Sequence, residues 1–227
     1  MNGAVVVFAR RPAAGRVKTR LSPPLSPAQA AELYRAMLAD VLAATAGFAE
    51  HLRLAPVLAV TPPEACAELA RHAPADYQVV AQRGADLSAR MAWAVAEQAA
   101  AGRDRILLRG SDSPALDGGA LSEALAALDD HDLVLCPDRD GGYNLVGLRE
   151  PAPGLFEHPM STGRALEDTL AGARRLALRV HVQQPRFDLD RYQDLRWLAA
   201  ARADGCESLC PRTLAYLDAH ALWPGAA

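Results

Sequence analysis

The chain has 227 residues, 51% of them hydrophobic, enough to bury one sizeable core. Its 24 basic and 27 acidic side chains nearly balance, which argues against a nucleic-acid or membrane-surface binder that draws affinity from basic excess. Cys66, Cys136, Cys206 and Cys210 include no C-x-x-C pair and join no His cluster at zinc spacing, so they read as reduced thiols of a cytoplasmic protein.

Ala4 to Ala9 is a continuous apolar run, expected of a parallel strand covered on both faces. A loop rich in Arg, Pro and Gly follows to Pro24. Ser26-Pro27-Ala28-Gln29 is a helix start, with Ser as N-cap and Gln three residues on, and the helix is expected to run to about Gly47. Leu54 to Val60 is a second strand. Thr61-Pro62-Pro63-Glu64 repeats the start signal for a helix to about His72, and Tyr77 to Ala81 is a third strand. An Ala-rich helix ends near Gly102. Ile106 to Leu108 is a fourth strand, a helix spans about Gly119 to Leu128, and Leu133 to Cys136 is a fifth strand. This alternation predicts right-handed crossovers and a mostly parallel sheet in one domain over residues 1–227. Tyr143 to Leu148 is a strand that need not be parallel. Ser161-Thr162 starts another helix, Leu178 to Val182 is a late strand, and helices over Tyr192 to Arg202 and Thr213 to Ala221 close the chain.

Three segments carry candidate chemistry. Gly110-Ser111-Asp112-Ser113-Pro114 leaves Asp112 at the carboxyl end of a buried strand, where open α/β sheets bind ligands and a carboxylate suits a hard divalent cation. The alternative is that Asp112 caps the turn before the next helix. The loop after the first strand gathers Arg10, Arg11, Gly15, Arg16, Lys18 and Arg20. Cations and backbone N–H groups there suit polyphosphate, although no Walker A order is present. Alone it reads equally well as a solvated basic loop. In Arg186-Phe187-Asp188-Leu189-Asp190, an extended backbone turns Asp188 and Asp190 to one side, where they can join Asp112 around Mg²⁺. Asp190 also suits the N-cap of the helix that follows. Weaker signals are Gly141 and Gly142, which let backbone approach a ligand or simply form a turn, and Gln82, Gly84 and Leu87 as a nucleobase pocket. Trp93, Trp197 and Trp223 read as packing, and no Ser/His/Asp arrangement stands out.

Taken together, these segments resemble the nucleotide-diphospho-sugar transferase superfamily. The matching motifs are Phe8 to Leu21, Gly110 to Leu116, Asp140 to Leu148, the helix start at Ser161 and Thr162 with Thr169, and Asp188, Asp190, Asp194 and Leu195. The chain is similar to a bacterial branch of glycosyltransferase-like proteins. It is also similar to guanylyltransferases that activate phospholactate or phosphoenolpyruvate. Tyr143 departs from the Thr of the guanylyltransferases, whereas Asn144 departs from an aromatic residue and Met160 from a Trp in the first branch. The resemblance implies a single-domain, Rossmann-like GT-A fold, α/β, with a mostly parallel central sheet and helices on both faces. It implies nucleotide contacts from Arg10, Gly15, Lys18, Arg20, Gln82, Gly84, Leu87, Ser111, Gly141 and Gly142, with Mg²⁺ or Mn²⁺ on Asp112, Asp188 and Asp190. Lys18, Arg20 and Asp112 would carry catalysis.

The dense cationic loop suits an NTP with pyrophosphate as leaving group, so nucleotidyl transfer to a small phosphorylated or carboxylated acceptor is the leading expectation. Glycosyl transfer from a nucleotide sugar is the alternative, and a nucleotide-binding module without turnover the third. No nucleic-acid or membrane partner is expected.

Overall fold

The structure, a computed structural model, describes residues 3–225. In chain order the elements are β1 (Gly3–Arg10), α1 (Pro27–Leu52), β2 (Leu54–Thr61), α2 (Cys66–Ala70), β3 (Gln78–Ala81), α3 (Leu87–Ala100) and β4 (Arg105–Gly110). There follow α4 (Gly118–Ala127), β5 (Leu133–Pro137), β6 (Tyr143–Leu148), α5 (Ala165–Arg175), β7 (Val180–Val182), α6 (Leu195–Ala203) and α7 (Pro211–Ala219). The strands form one seven-stranded sheet in the order β3-β2-β1-β4-β6-β5-β7. Only β6 runs against the others, pairing antiparallel with both β4 and β5. The fold is therefore α/β with a mostly parallel sheet. The carboxyl ends of six strands and the start of β6 meet at a single edge.

Both faces of the sheet are covered, which is why β1 and β5 read as unbroken apolar runs. Val6, Ile106, Leu108, Val146 and Leu148 pack with Met91 and Val95 of α3 on one side. On the other, Val5, Leu107 and Val134 pack against α4, and Val7, Leu58 and Val60 against α1. Among the described residues no helix is long and apolar enough to cross a membrane.

The helix starts teach a lesson about capping. Ser26 and Gln29 form the reciprocal capping box that their spacing predicts. The helix they open outruns the expected end, because Ala49 stays buried, and Arg53 closes it in a left-handed conformation. Thr61 caps nothing: it is the last residue of β2, paired with Arg10, and only a single 3-10 turn precedes the short α2. Ser161 likewise fails as a cap, since it adopts φ 60° and α5 begins four residues later. Asp190 makes no cap either; Asp194 instead accepts from the backbone N–H groups of Asp190 and Arg191.

Two carboxylates join distant elements. Asp40, buried in α1, accepts from the N–H groups of Arg212 and Thr213 and so caps α7 from 172 and 173 residues away. Asp132 accepts three hydrogen bonds from Arg179 beside the β5–β7 pairing. Those bonds hold the Asp132 carboxyl at about 2. A depressed carboxylate adds stability above its unfolded value of about 3.9, and that stability is lost as pH falls through the folded value. Replacing Arg179 with Met should cost little at neutral pH, because the pair is solvent-screened. Its acid unfolding, followed by circular dichroism, should start at higher pH than the parent's. Coincident curves between roughly pH 4 and 2 would refute this role.

Candidate active site

A cleft of about 1530 Å³ opens along the carboxyl edge of the sheet. Pockets for one small ligand span roughly 300–1,000 Å³, so this one has room for two. Its walls come from the loop after β1, the loop after β4, the start of α3, residues 138–165 and the pair Asp188 and Asp190.

Lys18 ties these walls together. Its backbone is left-handed at φ 49°, and the single turn after it buries Leu21. The side chain is only 4% exposed, with Nζ 2.7 Å from Asp112 Oδ1 and 2.9 Å from Asp190 Oδ1. Burial works to lower its pKa, but the two carboxylates outweigh it and raise it. Burial likewise works to raise Asp190, yet Lys18 and then Arg20 hold it below the usual range. Lys18, expected to face nucleotide phosphates, pairs its ammonium with two carboxylates in the structure. Arg10, Arg11, Arg16 and Arg20 are exposed in that loop, and Arg11 pairs with Glu68 outside the cleft.

Asp188 sits differently. Its carboxylate accepts from Ser113 Oγ, and its N–H donates to Asp138 Oδ1 at 3.0 Å. Buried Leu189 separates it from Asp190 and donates its own N–H to the Asp112 carbonyl at 2.9 Å. Burial first, then the charges of Asp112 and Asp138, push Asp188 well above the carboxylate range. Burial also lifts Asp138, to about 6, with neighbouring Asp140 adding to it.

The expected trio of metal ligands is not assembled. Among the described residues, no three His, Cys, Asp or Glu side chains gather closely enough to hold an ion. Lys18 occupies the space between Asp112 and Asp190. Asp112 does not cap the following helix either, because Asp117 does so by accepting from Ala120 N–H.

Of the remaining expected contacts, Arg10, Arg20, Gln82, Leu87, Ser111 and Gly142 line the cleft, whereas Gly15, Gly84 and Gly141 do not. Gln82 Nε2 donates to the carbonyls of Ala9 and Ala59, fastening β1 to β2. Gly84 has φ 136°, and a Cβ there would lie 2.7 Å from Arg90 N. A Cβ on Gly141 would lie 2.1 Å from Gly163 O, so glycine is needed for close packing of two loops.

Two supporting residues escaped the sequence reading. Arg109, buried in β4, donates to Thr45 Oγ1 and to the Ser113 carbonyl, both at 2.9 Å, and burial lowers it to about 10. A charge ending an apolar strand was its signal. Tyr34 of α1 accepts from Arg10 N–H at 3.0 Å and pairs with Ser111 Oγ at 2.8 Å, joining the two loops from below. Tyr34→Phe should cost about 1 kcal/mol and loosen both loops. The expected reading is a modest drop in melting temperature with a larger loss of nucleotide affinity; unchanged affinity would refute the positioning role.

A family model described as "uncharacterized protein conserved in bacteria" (DUF2064) matches residues 44–162. The chain belongs to that family. It is 39% identical over 182 residues to a 3-phospho-D-glycerate guanylyltransferase of Phenylobacterium zucineum, covering 78% of this chain and 81% of the relative. It is 32% identical to a 2-phospho-L-lactate guanylyltransferase of Methanothermobacter thermautotrophicus, covering 62% and 63%. A crystal structure from Desulfovibrio desulfuricans G20, provisionally described as a nucleotide-diphospho-sugar transferase, superposes with a TM-score of 0.87 at 27% identity, covering 97% and 96%.

Proposed function

We propose that this chain is a nucleotidyltransferase that moves a nucleoside monophosphate from an NTP, GTP foremost, onto a small phosphorylated acceptor. The observation that carries this reading is the 39% identity to a phosphoglycerate guanylyltransferase across 78% of the chain. A cleft with room for two ligands supports it. An oxygen of the acceptor phosphate attacks the α-phosphorus, the bond to the β-bridging oxygen breaks, and pyrophosphate leaves. Positioning and charge neutralisation do most of the work in such a transfer. Arg10, Arg16 and Arg20 take the departing phosphates, while Lys18 keeps their loop joined to Asp112 and Asp190.

Mg²⁺ fits the donor set. The charge of Asp112 adds to the cost of ionising buried Asp188, a conflict that a cation relieves. Mg²⁺ is commonly held by one or two carboxylates with substrate phosphates completing the shell. Asp112 and Asp188 would hold it, and it would neutralise charge at the transferring phosphate. Asp190 has Lys18 on one oxygen and Arg20 3.9 Å from the other and is left out of this set, whereas Asp112 meets Lys18 through one oxygen only.

The test is release of pyrophosphate from each of the four NTPs with Mg²⁺ and 3-phospho-D-glycerate or 2-phospho-L-lactate, with the product identified by mass spectrometry. GTP should serve best. The resemblance to the Desulfovibrio structure favours a second reading, transfer from a nucleotide sugar. No pyrophosphate from any NTP, together with tighter binding of a nucleotide sugar, would replace the first reading by the second.

A further inference from the structure

Asn144 stands out because neither polar atom of its buried carboxamide has a partner. The residue is 2% exposed, and both Nδ2 and Oδ1 are enclosed without a hydrogen bond. Ser22 Oγ is also enclosed without a partner but lies outside the cleft lining, and Arg109 and Gln183 bury one unpaired atom each while their side chains make other bonds. Enclosing an amide this way destabilises a fold, and native chains rarely leave one so.

Its place is informative. Asn144 is the second residue of β6 and lines the cleft. It falls where the β5–β6 register shifts, unpaired between Leu145, opposite Cys136, and Tyr143, opposite Pro137, with Tyr143 and Val146 beside it in the cleft lining. The next residue, Leu145, pairs with Arg109 near the end of β4. In the sheet, β4 lies between β1 and β6. Asn144 is therefore across the Asp112 loop from the cationic first loop.

Charge divides the cleft in the same way. Its lining cations are Arg10, Arg16, Lys18, Arg20, Arg90 and Arg109, all at or before the end of β4. From Asp138 onward the lining residues include no Lys or Arg, but five carboxylates, Asp138, Asp140, Glu157, Asp188 and Asp190. A polyphosphate belongs to the first half. An anionic acceptor in the second half needs the cation proposed on Asp112 and Asp188 to offset those carboxylates, and its remaining contacts fall to neutral donors, which are strongest where water is excluded.

We propose that Asn144 binds the acceptor, donating from Nδ2 to an oxygen of its phosphate, with Oδ1 taking a hydroxyl of the same molecule. This deepens the nucleotidyltransferase reading and rests on it for the identity of the acceptor. Such a residue is kept for binding at the expense of stability. Asn144→Leu, similar in size and apolar, should therefore improve the fold while it weakens the site.

The experiment compares parent and Asn144→Leu by thermal shift in Mg²⁺ buffer. Each is measured alone, with saturating α,β-methylene GTP, and with the analogue plus inorganic phosphate as acceptor probe. The variant alone should melt about 2–6 °C above the parent. The analogue should stabilise both proteins, but added phosphate only the parent. In turnover, KM for the phosphorylated acceptor should rise about tenfold or more while KM for GTP holds. A variant that melts lower than the parent, or fails to fold, shows that the amide is satisfied within the protein and overturns the proposal. So does a phosphate shift that survives in the variant, or a loss confined to the nucleotide. A parent that ignores the analogue instead sinks the nucleotidyltransferase reading, and phosphate added alone then decides the role of Asn144 by the same comparison.

Discussion

Replacing Lys18 with Met should lower both stability and turnover. The side chain is 4% exposed and holds Asp112 and Asp190 at 2.7 and 2.9 Å. Removing one partner from a buried ionic cluster leaves like charges facing each other, which in full burial costs about 3–5 kcal/mol. Asp112 and Asp190 keep 39% and 34% of their side-chain surface exposed, so water screens part of that repulsion. A loss of about 1–3 kcal/mol is the reasonable expectation, or roughly 2–10 °C in melting temperature. Turnover should fall about 100-fold or more, because the first loop, the β4 loop and the Asp190 segment all meet at this ammonium. Lys18→Arg should not rescue it, since a planar guanidinium cannot occupy the same point between two carboxylates. Chemical denaturation and pyrophosphate release on the same preparations measure both effects. A variant as stable and as active as the parent would show that the cluster is ornamental.

Why Lys18 was legible as a candidate while its carboxylate partners were not is a matter of distance along the chain. A basic loop after a first strand announces an anion partner. Its actual partners are Asp112, on another loop, and Asp190, 172 residues away, and only tertiary closure brings them together. The same limit applies to caps. Ser26 and Gln29 satisfy each other within one turn, so their pattern is self-sufficient. Thr61 carries the same signal but is claimed by strand pairing with Arg10, which outweighs a local cap. The sheet itself was legible because strands covered on both faces read as apolar runs, a property of composition rather than of partners. Tyr34 was hidden for the opposite reason. On an apolar helix face an aromatic residue reads as core, and nothing local reveals that its hydroxyl serves Arg10 and Ser111. Arg109 was less hidden, since an ionised side chain entering a core strand asks for a buried partner.

Asp188→Asn should separate stability from function where Lys18→Met lowers both. Asp188 is enclosed beside Asp112 and Asp138, and burial followed by their charges pushes its carboxyl well above the normal range. Ionised, it therefore works against folding, and an amide of the same shape removes that charge. The Ser113 hydroxyl keeps an oxygen to donate to, so packing need not change. At pH 8 the variant should melt above the parent, by about 2–4 °C for each kcal/mol relieved. Turnover should nevertheless drop about 100-fold or more, because the two-carboxylate cation site proposed with Asp112 loses half its charge. Mg²⁺ titration of nucleotide binding by calorimetry would register the same loss without any catalytic step. Should the variant melt below the parent at pH 8, the Asp188 charge is a structural requirement. Should it melt higher yet turn over normally, the conflict among these carboxylates has no part in the reaction, and Asp112 is left as the remaining candidate to hold a cation.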